Sequence, residues 1–335
     1  MPTTQLQHAP LSKLALFSLV RSDLKQVDKV IALDTICCQD VVTAISRHLS
    51  ASGGKRLRPT LLLLSARACG EHGDGPIPMA AVMEIIHAAS LVHDDVIDAA
   101  EVRRSSPSTN QLWGNQVSVL AGDWLYMQAF SIALRERNFR ILDILCDLTK
   151  MMVEGELLQA ELIGRIDVTE QQNHELIHRK TASLLSACGL VGALMANASE
   201  QAEERLRAYG WNLGMAFQLI DDVLDYEASE SVLGKPVGND LREGKVTLPM
   251  ILALQSCTRA ERKQVETVVR EGGYHSVPAV RVLEILDRYG AIAEVRRRAA
   301  SFCDAGLQGL AGLPDSPYRR ALEDAAGRWV TTRPS

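Results

Sequence analysis

The sequence predicts an all-α protein, a single-domain helical bundle around a deep central cavity. Three observations carry that expectation. Ala and Leu are abundant while aromatics make up only 4% of the 335 residues, a balance that favours helix over sheet. After Pro10 almost every stretch carries apolar residues at helical spacing, punctuated by Gly, Pro and Ser, with no sustained alternation. No long polar linker divides the chain. It therefore reads as a mobile leader over 1–10, one domain over 11–330 and a tail over 331–335.

Taken in order, the predicted helices begin with an amphipathic segment over 11–33 and a second over 36–51. Gly53-Gly54 break the chain before Pro59, which opens a helix over 59–71 at its first turn. The Leu61–Leu64 run in it reads as core. Long helices follow over 77–100, 116–136, 138–164, 169–198 and 200–227, then shorter ones over 247–256, 258–271, 276–288, 290–310 and 316–330. Between 228 and 246 lies an irregular region with Gly234, Pro236, Gly238 and Gly244 spread among Lys235, Asp240, Arg242 and Lys245. Glycine-punctuated and charged, it reads as a lid or binding loop.

Composition excludes several functions. Hydrophobic residues make up 47% and charged residues 23%, as in a soluble globular chain. A net charge of −5 gives no sign of a nucleic-acid partner. The seven cysteines form no C-x-x-C pair or zinc spacing and read as buried small hydrophobes in a reducing compartment. No apolar run reaches the roughly 18–20 residues of a membrane span. A cytoplasmic protein with no transmembrane segment is the expectation.

The chemistry lies in a repeated pattern, Asp-Asp-x-x-Asp. It occurs as Asp94, Asp95 and Asp98, and again as Asp221, Asp222 and Asp225, each time at the end of an apolar helical stretch. Residues four apart stack on one helix face, so Asp94 points with Asp98 and Asp221 with Asp225. Like charges at that spacing destabilise a helix by about 0.2–0.5 kcal/mol. Neighbours such as Leu91, Val92, Leu219 and Ile220 make unpaired carboxylates costly. A solvated acidic helix end does not explain that interleaving. Mg²⁺ does: it takes a few carboxylates, several waters and substrate phosphates. His87 falls about 20° from the Asp94 line, two turns below it.

Cations flank these motifs. Arg103-Arg104 suit either ion pairs with the carboxylates or bidentate phosphate binding. Gly53 to Pro59 carries Lys55, Arg56 and Arg58 on a constrained loop. It is an anion seat or, taken alone, a surface basic turn; Walker A spacing is absent. Lys180-Thr181 alone fits a solvated helix surface, and beside two metal motifs it fits a phosphate role. Gln218, Asp221 and Asp225 form one stripe.

Taken together, these residues resemble the trans-isoprenyl diphosphate synthases, or polyprenyl synthetases. The matching features are the G-G-K-R-x-R-P loop at Gly53–Pro59, the first aspartate motif with its leading His93 and trailing Arg103-Arg104, and Lys180-Thr181. F-Q-x-x-D-D-x-x-D from Phe217 to Asp225 and the G-K-x-x-G-x-D-x-x-x-G-K-x-T-L-P block from Gly234 to Pro249 complete the set. One position departs: the family commonly has Gly after the paired arginines, and here Ser105 follows. The resemblance implies a homodimeric all-α bundle that joins isopentenyl diphosphate to an allylic diphosphate. It implies two to three Mg²⁺, with Asp94 and Asp98 holding two and Asp221 the third, and with Asp222 and Asp225 completing the second motif. Lys180, Lys235 and Arg103 would hold the allylic diphosphate, with Lys245 in the same loop. Lys55, Arg58, His87 and Arg104 would hold that of isopentenyl diphosphate. Thr181 and Gln218 would line the reacting centre, where pyrophosphate itself takes the proton.

Ser90 lies one turn below Asp94, with Ala89 beside it. In the family, bulky residues there resemble a floor that stops elongation, so two small ones imply a long product. At about 5.4 Å per helical turn, roughly six to ten isoprene units fit, as in enzymes that make quinone side chains. Transient membrane contact at product release is expected. The rival readings are a shorter-chain (farnesyl or geranylgeranyl) synthase, a terpene cyclase, which needs no second anion site, and a non-catalytic subunit of a heteromeric synthase.

Overall fold

The computed structural model of the chain describes residues 18–51, 56–103, 106–227 and 238–331. The helices are α1 (Arg21–Asp34), α2 (Asp40–Ala51), α3 (Leu57–Ala68), α4 (Pro76–Ile97), α5 (Thr109–Arg135), α6 (Phe139–Leu162) and α7 (Glu170–Ile177). A π turn (His178–Ala182) joins α7 to α8 (Ser183–Met195), followed by α9 (Glu200–Glu227). The remainder are α10 (Asn239–Arg242), α11 (Leu248–Ser256), α12 (Arg259–Glu271), α13 (Ala279–Arg288), α14 (Ala291–Leu310) and α15 (Pro317–Thr331). Among the described residues the strands are two antiparallel pieces, β1 (Val102–Arg103) and β2 (Ser106–Pro107).

Local chemistry sets several of these boundaries. Thr169 with Gln172 caps α7, and Thr258 with Glu261 caps α12, each pair satisfying two orphan N–H groups reciprocally. Pro76 opens α4. At the other end of α4 the Ala100 N–H bonds Asp95 O at 2.9 Å across Ala99, which sits at φ +48°. This is a left-handed helix stop made without glycine, and it holds backbone strain beside the first aspartate motif.

A large core is built from α3, α4, α5, α8 and α9, and α3 and α8 are buried almost throughout. A smaller apolar cluster, around Leu241, Met250, Val265 and Leu286, joins the C-terminal helices to the ends of α6 and α9. By length and apolarity α4 and α5 would pass as membrane spans; α4 instead packs as the central helix of the bundle.

Expectation and structure differ in instructive places. The hairpin β1–β2 is too short to show alternation. α5 starts before the predicted 116 because Gly114, at φ 79°, breaks it into two helical pieces. The expected continuous helix over 169–198 contains the π turn. The expected irregular lid contains α10; its first part, residues 228–237, lies outside the described residues, as do 1–17 and 332–335.

Helices α8 and α9 cross at almost backbone contact. A Cβ added at Gly210 would come within 2.2 Å of Leu185 O, and one at Gly214 within 2.5 Å of Ala182 Cα. Ala182 ends the π turn, so this crossing sets where that turn sits against α9. Gly214→Ala should therefore destabilise the protein by about 1–3 kcal/mol through overpacking. Gly309→Ala in α14, whose Cβ would stand an ordinary 3.5 Å from Arg205 O, should be neutral or stabilising by up to about 1 kcal/mol. Urea denaturation of both variants checks this pair, and equal stability would show that the crossing is not tight.

Candidate active site

A cavity of about 700 Å³ opens between α4, α5, α6, the π turn, α9 and the loop after α10. Asp94 of the first motif and Asp221 and Asp222 of the second line it together. Lys180, Thr181 and Gln218 line it, as do Arg58, His87, Arg103 and Lys245. Ser90 faces the same space, while Ala89, about 100° around the helix, is fully buried in packing. Lys55, Arg104 and Lys235 lie outside the described residues.

The π turn explains how Lys180 and Thr181 reach the cavity. It widens the helix by one residue per turn locally, a device frequent at functional sites. Gly155 of α6 clears the path: a Cβ there would meet Lys180 Cγ at 2.9 Å. Lys180 Nζ then bonds Glu156 and Gln159, at 2.7 and 2.8 Å. Thr181 Oγ1 donates to Gln218 Oε1 at 2.9 Å, and Gln218 Nε2 donates to Asp222 Oδ1 at 3.0 Å. That chain fixes the Gln218 amide and ties the turn to the second motif.

Not every aspartate faces the cavity. Asp95 is fully buried and takes the Arg103 Nε at 2.5 Å. Asp98 caps α4 at the rim, where Lys245 Nζ stands 3.3 Å from both its oxygens. Asp225 accepts the Asp240 N–H at 3.0 Å and so holds the start of α10. Arg56, in the basic loop, is an anchor: it pairs with Asp28 at 2.9 Å and Glu84 at 2.7 Å.

The carboxyls carry more negative charge than their surroundings tolerate. Burial, then Glu156, pushes Asp94 up to about 7, with Lys180 and Arg103 pulling the other way. Burial pushes Asp222 up to about 7 despite the Gln218 hydrogen bond, with Asp221 and Asp225 adding to the rise. Asp240 is raised well above the carboxylate range by burial and by Asp225. Among the described residues no three acidic or imidazole side chains converge on one point to hold an ion alone. An oxygen donor set short of positive charge fits a hard dication that completes its shell with water and phosphate oxygens.

Sequence reasoning missed Tyr126, Glu156 and Gln159, which line the cavity with Asp240. Asp240 was visible as part of the 234–249 block; Glu156 and Gln159 sit one helical turn apart on α6 without a motif of their own.

Comparison with known proteins agrees with this geometry. The profile of the polyprenyl synthetase family matches residues 39–284. The chain is 36% identical over 305 residues to octaprenyl diphosphate synthase of Escherichia coli K12, covering 91% of this chain and 94% of that one. Its fold superposes on a decaprenyl diphosphate synthase from Rhodobacter capsulatus with a TM-score of 0.90 at 35% identity, covering 94% and 97% of the two chains. A polyprenyl synthase from Caulobacter crescentus CB15, solved with calcium and isoprenyl diphosphate, also gives 0.90 at 35% identity, covering 95% and 97%. The chain belongs to the polyprenyl synthetase family.

Proposed function

We propose that this chain is a prenyltransferase that condenses isopentenyl diphosphate with an allylic diphosphate and releases a long all-trans polyprenyl diphosphate, of the kind that supplies quinone side chains. The observation that carries this reading is the convergence of Asp94, Asp221 and Asp222 with Arg58, Arg103 and Lys180 on one cavity. Two diphosphates need cations on two sides; a cyclase ionises one and needs no second anion seat.

Asp94, Asp98, Asp221 and Asp222 would hold two to three Mg²⁺, with Asp225 acting through the start of α10. Bound there, Mg²⁺ would supply positive charge that stabilises the leaving diphosphate. Lys180 and Arg103, joined by Lys235 and Lys245, grip the allylic diphosphate and stabilise the charge that develops on it. Arg58 and His87, with Lys55 and Arg104, hold the isopentenyl diphosphate. Met152, Tyr126 and Leu184 wall the cavity and keep water from the allylic cation. Thr181 donates its hydroxyl hydrogen bond to Gln218 Oε1, which leaves the threonine oxygen lone pairs for that cation. The isopentenyl double bond attacks, and the departed diphosphate takes the proton. The chain then grows past Ser90, with Ala89 packed behind it.

Two surfaces support the remaining expectations. On α5 Leu120, Met127 and Leu134 stand 60%, 64% and 49% exposed at seven-residue spacing, and Phe139, Val153 and Leu157 extend the face onto α6. We assign this face to a homodimer contact. At the mouth Ile97, Val102 and Ile163 are exposed and suit transient contact with a membrane as the product leaves a cytoplasmic enzyme built from residues 11–330.

Incubation with Mg²⁺, labelled isopentenyl diphosphate and farnesyl diphosphate should yield long polyprenyl diphosphates, and chelation should abolish them. Cyclic hydrocarbon from the allylic substrate alone would defeat the proposal. Ser90→Phe should cut the product to a few isoprene units, whereas an unchanged length would remove α4 from the chain's path.

A second test separates activity from stability. Asp222 ionises near its ordinary 3.8 when unfolded and near 7 when folded. Its folded form binds more protons between those values, so its contribution to stability is lost as pH rises toward 7. The unliganded protein should therefore melt lower at pH 8 than at pH 5. Asp222→Asn should flatten that slope, raise the melting temperature at pH 8 and lower kcat about a hundredfold. A variant that melts lower than wild type at pH 8 would show that the carboxylate is not in electrostatic excess.

A further inference from the structure

Behind α7 lies a second cavity of about 640 Å³, close in volume to the first and inside the roughly 300–1,000 Å³ of small-molecule sites. α7, α9, α14 and the first residue of α11 wall it. Asn173 and Ile177 line both cavities, so one layer of side chains divides them. Ile177, Met215, Leu219 and Leu248 make its apolar lining, and Phe302 and His174 present aromatic rings. Trp211 stands behind them, edge-on to Phe302 at 5.7 Å.

Charge decides what the cavity can take. Arg297 is held by Glu294, and Arg298 by both Glu294 and Glu170. Glu170 also accepts from Gln255 at 2.8 Å. The guanidiniums at the rim are thus neutralised by the chain's own carboxylates, and a diphosphate would have to break those pairs. What is left is polar but uncharged: the amides of Asn173, Asn212 and Gln171. Asn173 is 3% exposed and lines both cavities. A carboxamide can pair with a donor or an acceptor brought into the cavity. Flat rings pack well against Phe302 and His174.

We propose that this second cavity binds an uncharged aromatic molecule carrying a carbonyl or hydroxyl group, and that its occupancy is felt at Lys180 and Thr181. α7 is the wall of the cavity and runs directly into the π turn that carries both residues. Trp211 Nε1 donates to His178 Nδ1 at 2.9 Å, which ties the first residue of that turn to α9 beside the cavity. A ligand that moves α7 moves the turn. This second half rests on the substrate-binding role proposed for Lys180; the first half does not.

Benzophenone, an uncharged aromatic ketone that inserts into C–H bonds on irradiation, serves as the probe with the full-length chain. Mass spectrometry should find adducts on the segments that carry Met215, Leu219 or Phe302. Ala305→Trp, at an exposed position of α14 that lines only this cavity, should cut that labelling at least tenfold with an unchanged melting temperature. In the dark, benzophenone should shift the KM for the allylic diphosphate at least threefold in wild type and leave it unchanged in Ala305→Trp. Labelling absent from these segments, or unaffected by the tryptophan, would mean a cavity filled by water alone and would overturn the site. Adducts with the same KM would overturn the coupling. Labelling reads the site even in a chain that condenses nothing, so the two readings fail separately.

Discussion

Everything in this fold turns on crowding carboxylates into a desolvated chamber. Asp94, Asp221, Asp222 and Asp240 share one cavity with Glu156, and burial makes their charges expensive. The chain's own cations answer only part of that cost, because Arg103 is shared with Asp95 and Lys180 with Glu156. Such an arrangement survives folding because the surrounding helices are packed too closely to relax. The glycine crossing of α8 and α9 and the bonded series Thr181, Gln218, Asp222 hold the second motif in place. The imbalance is what selects a positively charged occupant.

Most of the architecture was legible because helical periodicity is a strong local signal. The helices over 139–162, 200–227 and 259–271 fall within a few residues of their predicted spans. The aspartate motifs were legible for the same reason: charges stacked at four-residue spacing among Leu, Val and Ile have no comfortable place in an ordinary helix. What escaped was non-periodic. The π turn differs from an α-helix by one inserted residue and leaves no mark on composition. The hairpin at Val102 is two residues long on each side. Asp225 shares its stripe with Asp221 in sequence, yet in space it secures α10, because a partner 15 residues on competes for its oxygens. Glu156 and Gln159 could not be singled out from other polar positions on α6 until Lys180 was seen to reach them.

The small residues have a part that is easily overlooked. Gly155 admits Lys180, Gly210 and Gly214 admit α8 and the π turn, and Gly122 admits the ring of His93, against which a Cβ would lie at 2.2 Å. Each removes a side chain from one helix so that a functional group on another can pass. Positioning in this bundle is achieved as much by omission as by contact.

Lys245 and Asp98 join the loop after α10 to the tip of α4 with a single ammonium placed evenly between two oxygens. An ammonium in that position is a resident counter-ion. Another cation could take that place only if Lys245 let go of Asp98, so any loading at the rim would be an exchange of ions and not a simple addition. Glu243 Oε2, 2.8 Å from the same ammonium, keeps hold of it when Asp98 lets go. The gateway is therefore latched by one charge shared between two carboxylates, one on the tip of α4 and one on its own loop.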